Sequence, residues 1–230
     1  RGLGDVYKRQ VLFGENITLW FRNTVFLAAV TVFLSLLVAV PAAYCFSRRR
    51  FPGRKAILRC LVLLNSFPAI LSMFAIYRLL RPMGLVNTRL GLILVYTGTM
   101  AVFSLWNTKG YFDTIPKSLD EAAILDGATN STIFWKIILP NAKPVIATTA
   151  INAFINPIVD YIFVSVIMKD NYNNFTVAKG LYTMVDKTNI YEYYTVFCAG
   201  AVIVAIPVVL LFIRMQKYYV AGVVGGSVKG

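Results

Sequence analysis

The sequence predicts an all-α integral membrane protein, and its composition and charge pattern are the observations that predict this class. Of the 230 residues, 58% are hydrophobic and only 14% are charged, whereas a soluble domain has about 25% charged residues. The charges are also segregated, which leaves long apolar stretches between polar ones. Such stretches suit membrane-spanning helices, because a β-barrel would show alternating segments of about ten residues instead.

Five segments are apolar and long enough to cross a bilayer, which takes about 20 residues. The predicted spans are 24–46, 57–80, 88–107, 142–168 and 195–217. A basic turn (47–56), a polar loop (108–141), a second polar loop (169–194) and a tail (218–230) lie between and after them. Residues 11–230 are therefore expected to form one transmembrane domain. Residues 1–10 lack an initiating Met and any periodic pattern, so a non-native tail is expected there.

The net charge of +13 indicates a membrane partner here and not a nucleic acid. On a soluble protein this charge would raise nucleic-acid binding, but the Lys and Arg residues of this chain cluster between and after the spans. Their excess predicts that the 48–55 turn, the 108–141 loop and the C-terminus are cytoplasmic. The short 78–89 loop, which carries three Arg residues, runs against the same rule.

The sequence offers few residues that could act as catalytic groups or metal ligands. There is no histidine, which removes His-based triads and His-metal sites. Cys45, Cys60 and Cys198 lie in or beside apolar segments without a CxxC spacing, so we expect buried small hydrophobes, neither disulfides nor a metal site. We therefore predict no catalytic residues and no metal.

The 108–141 loop contains helix-forming signals although it is polar. Ser118 and Glu121 have the S-x-x-E spacing of a capping box, and Gly127 is placed to end the helix that follows. A second helix is expected to start at Asn130 or Ser131 and to stop at Pro140. In an alternative interpretation Glu121 is only a cap and the loop an amphipathic linker on the membrane. The side chains available for apolar contact are Leu119, Ala122, Leu125, Phe134 and Ile138.

A polar stripe interrupts the fourth apolar segment. Asn152, Asn156 and Asp160 are spaced by four residues, which places them on one face of a helix, and Pro157 would bend that helix. Because an ionisable group at that depth usually faces a partner or a water-filled cavity, the three residues are candidates for a translocation path. Alternatively, the asparagines bond neighbouring helices and Asp160 lies near the outer interface.

Several motifs together resemble one family. Glu121-Ala122-Ala123, Asp126-Gly127-Ala128 and Leu139-Pro140 resemble the EAA loop of permease subunits of binding-protein-dependent ABC importers. Residues 50–54 (RFPGR) resemble a turn of the carbohydrate class. Phe67-Pro68, residues 109–112 (KGYF) and residues 225–230 (GGSVKG) resemble the smaller permease subunit of maltose/maltodextrin importers. The resemblance covers nearly the whole chain.

The resemblance implies the type I transmembrane domain of ABC importers, which has six spans, so the chain is expected to be N-terminally truncated. It further implies three groups of contact residues. Coupling to the ATPase is assigned to Glu121, Ala122, Ala123, Asp126, Gly127, Leu139 and Pro140. A tail with Gly225, Gly226 and Lys229 is expected to reach the ATPase subunits. The outer loop is expected to contact the binding protein through Asn171, Tyr172, Asn173, Asn174 and Phe175.

The implied function is that of a multi-pass permease subunit in the bacterial inner membrane, importing a maltodextrin-like oligosaccharide. The implied partners are a second permease subunit, a dimer of ATP-binding subunits, an extracytoplasmic sugar-binding protein and the lipid bilayer. No cofactor is expected on this chain, because ATP and Mg²⁺ belong to the ATP-binding subunits. The alternatives are an ABC permease for another sugar or polyol and, in a different class, an ion-coupled secondary transporter.

Overall fold

The computed structural model of the protein describes residues 16–169, 171–185 and 190–227. These residues form helices and turns without a β-strand, which confirms the all-α fold class. The elements in chain order are α1 (Ile17–Arg48), α2 (Arg54–Ser66), α3 (Ala69–Leu80), α4 (Arg89–Thr114), α5 (Ser118–Leu125), α6 (Asn130–Thr132), a π-helical turn (Ile133–Ile138), α7 (Leu139–Asn141), α8 (Lys143–Val159), α9 (Ile162–Ile167), a 3-10 turn (Tyr172–Asn174), α10 (Val177–Met184) and α11 (Ile190–Ser227).

Among the described residues, α1, α4 and the Tyr193–Arg214 part of α11 are each long and apolar enough to cross a membrane alone. A fourth span results if α2 and α3 count together as one broken span. The break between them falls at Phe67 and Pro68. Proline lacks an N–H and disfavours the helical conformation of the residue before it, which explains the interruption.

The segment predicted as one span over 142–168 is likewise two helices, α8 and α9. Asp160 follows the last residue of α8, and its carboxylate accepts hydrogen bonds from the N–H groups of Phe163 and Val164 at 3.4 Å each. The Tyr96 hydroxyl donates to the same carboxylate at 2.7 Å. Asp160 therefore lies where α8 ends, with its N–H donating to the Asn156 carbonyl at 3.0 Å, and its carboxylate helps to start α9.

The chain folds into two compact units. The Trp20 unit, named for a fully buried aromatic residue, comprises the chain up to Thr31, Phe67–Tyr96 and Ala153–Ile213. The Phe112 unit, also named for a fully buried aromatic residue, comprises Val32–Ser66, Thr97–Asn152 and the chain from Arg214. The predicted non-native tail, residues 1–10, lies outside the described residues.

The three cysteines are free, as expected, but the prediction that they are buried is wrong. Cys45, Cys60 and Cys198 are all exposed on the surface of the chain. Apolar side chains on membrane-spanning helices need not turn inward, since lipid tails are as apolar as the protein interior.

Candidate functional site

The 118–141 segment lies in the Phe112 unit, and one side of it is buried. Ala123 of α5 and Ile133, Phe134 and Ile138 of the π-helical turn belong to one hydrophobic cluster with Phe112 of α4. The exposed fraction of these side chains is at most 8%. The remaining members of the cluster come from α1, the end of α4 and the start of α8: Val40, Ala43, Ile115, Ala142 and Val145. The segment is therefore fixed to helices that belong to the predicted spans.

The two helices of the segment are joined at Gly127, as the sequence predicts. Gly127 has a φ of 79°, in the left-handed region that favours glycine. Its N–H donates to the Ile124 carbonyl at 3.0 Å, and the Ala128 N–H donates to the Ala123 carbonyl at 2.9 Å. This pair of bonds is the Schellman motif, which uses carbonyls that a helix end leaves without partners.

The predicted capping box at Ser118 and Glu121 is wrong. Ser118 is the first residue of α5 and not its cap, and the cap residue Lys117 makes no side-chain capping bond. The Glu121 N–H donates to the Lys117 carbonyl at 3.0 Å, so a Ser118 hydroxyl would compete with the backbone for it. Glu121 consequently has no capping role, and its carboxylate forms no ion pair with a described residue.

The second helix starts at Asn130, as predicted, but its cap and its end differ from the prediction. Thr129 is its cap: the hydroxyl of Thr129 accepts from the Thr132 N–H at 3.2 Å. Pro140 does not stop the helix, which continues to Asn141. The proline is tolerated because it lies in the first turn of α7, directly after the π-helical turn. The side-chain amide of Asn141 donates to the Ile137 carbonyl at 2.7 Å.

A buried ion pair joins α5 to the end of α1. Arg48 Nε lies 2.6 Å from Asp120 Oδ2, and the two side chains are only 6% and 15% exposed. The N–H is not aligned on the carboxylate, so the contact is electrostatic and lacks hydrogen-bond geometry. Arg48 Nη2 also donates to the Ile115 carbonyl, just before α5, at 3.0 Å. Sequence reasoning missed this pair, because nothing in the run of three arginines at 48–50 marks one of them.

The opposite side of the 118–141 segment is exposed and mixes acidic with apolar groups. Glu121, Ala122 and Asp126 are exposed, as is Pro140 at the end of the segment. Of the residues predicted for apolar contact, Phe134 and Ile138 are buried within the chain. Leu119 remains 43% exposed and Leu125 88% exposed. The structure adds Ile124 and Trp135 to this surface, 57% and 61% exposed. Such large exposed apolar side chains beside a free carboxylate suit a protein partner.

A small concave region adjoins Glu121. It has a volume of about 170 Å³ and combines three cations with the two acids of α5. Its lining residues are Tyr44, Arg48, Arg49, Lys117, Asp120, Glu121, Ile124, Asn130 and Ile133. The described residues contain no group of three or more His, Cys, Asp or Glu side chains that could hold a metal ion.

The second candidate region, residues 171–175, is attached to the start of α1 in the Trp20 unit. Asn23 Nδ2 donates to the carbonyls of Asn173 and Phe175 at 2.7 and 3.1 Å. Trp20 Nε1 donates to the Tyr172 carbonyl at 3.2 Å, and the two rings are 5.0 Å apart edge to face. Side chains of α1 therefore bind the main chain of this loop.

Side chains of the same loop also contact other parts of the chain. Asn171 donates to the Asn87 carbonyl at 3.3 Å, and Asn174 accepts from Arg89 Nε at 2.9 Å. Tyr172 and Asn173 are exposed. Phe175 is 5% exposed, so its prediction as a partner contact is wrong: its ring lies inside the Trp20 unit.

The helix α10 follows where the sequence predicts only a loop. The Thr176 hydroxyl accepts from the Lys179 N–H at 3.4 Å and caps α10. Gly180 of α10 lies against the Trp20 ring, so closely that an added Cβ would lie 2.0 Å from Trp20 Cε3. A threonine before an apolar run was the available signal for this helix.

The remaining candidate residues are placed as follows. Asn152 and Asn156 are half-buried on α8. Gly225 and Gly226 belong to the last turn of α11, and Lys229 lies outside the described residues.

Helices that can cross a membrane, together with an exposed, motif-bearing pair of short helices, are the features expected of a membrane permease subunit. A family model described as "Binding-protein-dependent transport system inner membrane component" matches residues 31–224. The chain belongs to this family, and it is a permease subunit of a sugar ABC importer. Members of this family are transport components of the inner membrane.

Relatives of known designation support the assignment. The galactooligosaccharides transport system permease protein GanQ of Bacillus subtilis is 38% identical over 228 residues, covering 98% of this chain and 80% of GanQ. The maltodextrin permease MalD of Streptococcus pneumoniae is 37% identical, covering 95% of this chain and 78% of MalD. The maltose/maltodextrin permease MalG of Escherichia coli is 35% identical, covering 93% and 73%.

The fold of this chain is also similar to that of chains in solved ABC transporter structures. A bacterial ABC transporter involved in the import of the acidic polysaccharide alginate contains a chain that matches with a TM-score of 0.79 and 27% identity, over 93% of this chain and 79% of that one. The MetNI methionine ABC transporter matches with a TM-score of 0.64 at 20% identity, over 87% of this chain and 93% of that one, which shows the shared fold.

Proposed function

We propose that the 118–141 segment is the coupling element through which an ATP-binding subunit drives this permease. The observation that carries the proposal is the contrast between its two sides. One side is packed into the cluster around Phe112, and the other exposes Glu121 and Leu125 without a partner in the described chain. An exposed surface on a firmly packed base is what force transmission between subunits requires.

In this proposal Glu121 forms a charge-assisted contact with a basic group of the ATP-binding subunit. Its carboxylate is exposed, does not cap α5 and forms no ion pair with a described residue. Ala122 offers a small side chain beside it, which permits close approach of a partner. Gly127 fixes the angle between the two helices, and Asp126, Leu139 and Pro140 complete the coupling set. Ala123 is predicted to belong to this set as a contact, but it is 8% exposed and packs into the cluster around Phe112 instead.

The proposed force path runs from α5 to α1. The Arg48–Asp120 pair and the cluster around Phe112 both link the coupling segment to α1. A displacement of α5 by the ATP-binding subunit would therefore carry the end of α1 with it, because packed interiors transmit strain rather than absorb it. The partner switches the spans between two states only to the extent that it binds those states with different free energies.

The proposed cargo is an oligosaccharide of the maltodextrin type. The support comes from relatives: permeases named for maltodextrin at 37% and 35% identity. A galactooligosaccharide is the second candidate, since GanQ is 38% identical over 228 residues. The ion-coupled alternative is set aside, because the family consists of components of binding-protein-dependent systems.

The proposed partners are a second permease subunit, a pair of ATP-binding subunits and an external sugar-binding protein. In the proposed orientation the coupling segment and the C-terminus face the cytoplasm, in accordance with the distribution of Lys and Arg. ATP and Mg²⁺ would be bound by the partner, and this chain would contribute no catalytic group. The exposed Tyr172 and Asn173 are the proposed contacts to the binding protein, and Asn152, Asn156 and Asp160 remain candidates for the translocation path.

The test is to reconstitute the chain with its partner subunits in vesicles and to measure ATP hydrolysis and sugar uptake together. Maltodextrins of increasing length, galactooligosaccharides and a polyol would be presented with the binding protein. We expect ATP hydrolysis and uptake to rise together for maltodextrins. Stimulation by galactooligosaccharides alone would favour the second cargo, and uptake that persists without ATP would contradict the importer function itself.

A further inference from the structure

The turn between α1 and α2 forms a cavity with a strongly positive wall. Its volume is about 800 Å³, and four of its lining residues are cations while none is acidic. The lining consists of Arg50, Phe51, Gly53, Arg54, Lys55, Ala56, Leu58 and Arg59. None of the four cations forms an ion pair with a residue that the structure describes.

This concentration of positive charge is electrostatically unfavourable as it stands. Like charges at short range repel one another, and salt screens this only beyond the Debye length, about 8 Å at physiological ionic strength. Arg54 and Lys55 occupy the first turn of α2, which contains no acidic residue. The helix dipole disfavours cations at that end, so a bound anion would relieve both sources of repulsion.

The helix that leaves this cavity is amphipathic, and its apolar side chains are not packed within the chain. None of the residues of α2 is buried within the chain. Leu63 and Leu64 are 70% and 69% exposed, and Ile57 and Val62 are 43% and 42% exposed. A free phosphate ion or a nucleic acid would leave this surface uncovered. A molecule with an anionic head and long apolar chains would cover both the cations and the helix.

We propose that this cavity binds the headgroup of an anionic phospholipid, with its acyl chains along α2. Arg50, Arg54, Lys55 and Arg59 would contact the phosphate and any further anionic group of the head. The apolar parts of Phe51 and Leu58 would adjoin the glycerol region. Clusters of four or more Lys and Arg beside a membrane segment attract anionic lipids, each cation adding to the affinity near the surface. The site is separate from the proposed coupling residues and does not depend on the identity of the sugar.

The test compares lipid retention by the purified importer complex using native mass spectrometry. The complex would be incubated with phosphatidylglycerol or with zwitterionic phosphatidylcholine of the same acyl chains. The variant replaces all four cations (Arg50→Gln, Arg54→Gln, Lys55→Gln, Arg59→Gln). The charge-matched control replaces four exposed arginines elsewhere (Arg22→Gln, Arg78→Gln, Arg81→Gln, Arg214→Gln).

We expect wild type and control to retain phosphatidylglycerol in preference to phosphatidylcholine, and the cavity variant to lose about tenfold or more of that retention. Equal retention by cavity variant and control would overturn the proposal. So would equal retention of the two lipids, displacement of the lipid by millimolar inorganic phosphate, or loss of a partner subunit from the cavity variant.

If the fourfold variant does not fold, phosphatidylglycerol titrated into the wild-type complex must still raise the thermal midpoint of the complex, and the rise must be smaller at high salt. A midpoint unmoved by phosphatidylglycerol would also overturn the proposal.

Discussion

The coupling segment 118–141 and the loop 171–175 are both candidate contact surfaces, but they are attached to the protein in different ways. The coupling segment is fixed by its own side chains, through Ala123, Phe134 and Ile138 in a hydrophobic cluster. The loop is fixed in addition through its main chain, whose carbonyls accept hydrogen bonds from Trp20 and Asn23, while the side chains of Asn171 and Asn174 bond to Asn87 and Arg89.

This difference bears on which substitutions each region tolerates. In the coupling segment the inward side chains determine the position and the outward ones are free for a partner, so the two roles can be separated by mutation. In the loop the position depends on residues about 150 positions earlier, and exposed residues such as Asn173 belong to the same hydrogen-bonded turn. Substitution of Trp20 or Asn23 should therefore displace the loop more than substitution of its exposed residue Asn173.

The largest effect is expected from the buried ion pair of the coupling segment. Asp120→Ala leaves the Arg48 guanidinium buried without its counter-charge, which costs about 3 kcal/mol or more when a buried pair is broken from one side. We expect a clear fall in the thermal midpoint of the detergent-purified complex. The check on the cause is the exchanged pair Arg48→Asp with Asp120→Arg, which should recover part of the loss. If the exchange is no better than the single variants, the pair does not link α5 to α1.

A smaller loss is expected where the Trp20 unit is most tightly packed. Gly180→Ala places a methyl group 2.0 Å from the Trp20 ring, and overpacking of this kind costs about 1–3 kcal/mol. Displacement of the ring should also disturb its bond to the Tyr172 carbonyl, so Trp20 fluorescence and binding-protein affinity should both change.

The matched control for that substitution is Gly98→Ala, since an added Cβ there meets nothing within 4 Å. Because alanine is less costly than glycine inside a helix, this substitution should leave the stability of the protein unchanged or raise it slightly. Equal effects at the two glycines would show that α10 does not depend on its contact with Trp20.

The connection between the two coupling helices should be sensitive to a third substitution. Gly127→Ala forces a residue with a side chain into the left-handed region, at a cost of about 1–2 kcal/mol. We expect a modest fall in stability with a larger fall in sugar-stimulated ATP hydrolysis, because the angle between the helices changes. Gly127→Asn should retain more activity, since asparagine tolerates this conformation. The same loss in both variants would show that the conformation of residue 127 is not what matters.

The sequence predicted the elements that depend on local signals. The helix end at Gly127 follows from the conformational freedom of glycine, and the exposed carboxylate of Glu121 lies within a motif that the resemblance identified. The hydrophobic pattern likewise placed segments of α1, α4 and α11 in the membrane, although their ends differ by several residues.

What could not be predicted depends on tertiary contacts. Arg48 is one of three successive arginines, and only the fold brings it to Asp120. The predicted capping box does not form, because the Glu121 N–H donates to the Lys117 carbonyl and not to the Ser118 hydroxyl. Phe175 looked like an exposed aromatic of a loop, but the side chains of Trp20 and Asn23 draw the main chain around it inward.

Glu121→Gln is expected to change stability least of these substitutions. It is also the most direct test of the coupling role. The substitution keeps the size of an exposed side chain that neither caps α5 nor pairs with a described residue, so the thermal midpoint of the chain should not change. The decisive measurement is the affinity of the purified permease for its ATP-binding subunit, with sugar uptake by the reconstituted complex alongside. The coupling proposal predicts that both fall about tenfold or more while stability is retained, since a charge-assisted contact is lost. Unchanged affinity and unchanged uptake would contradict it.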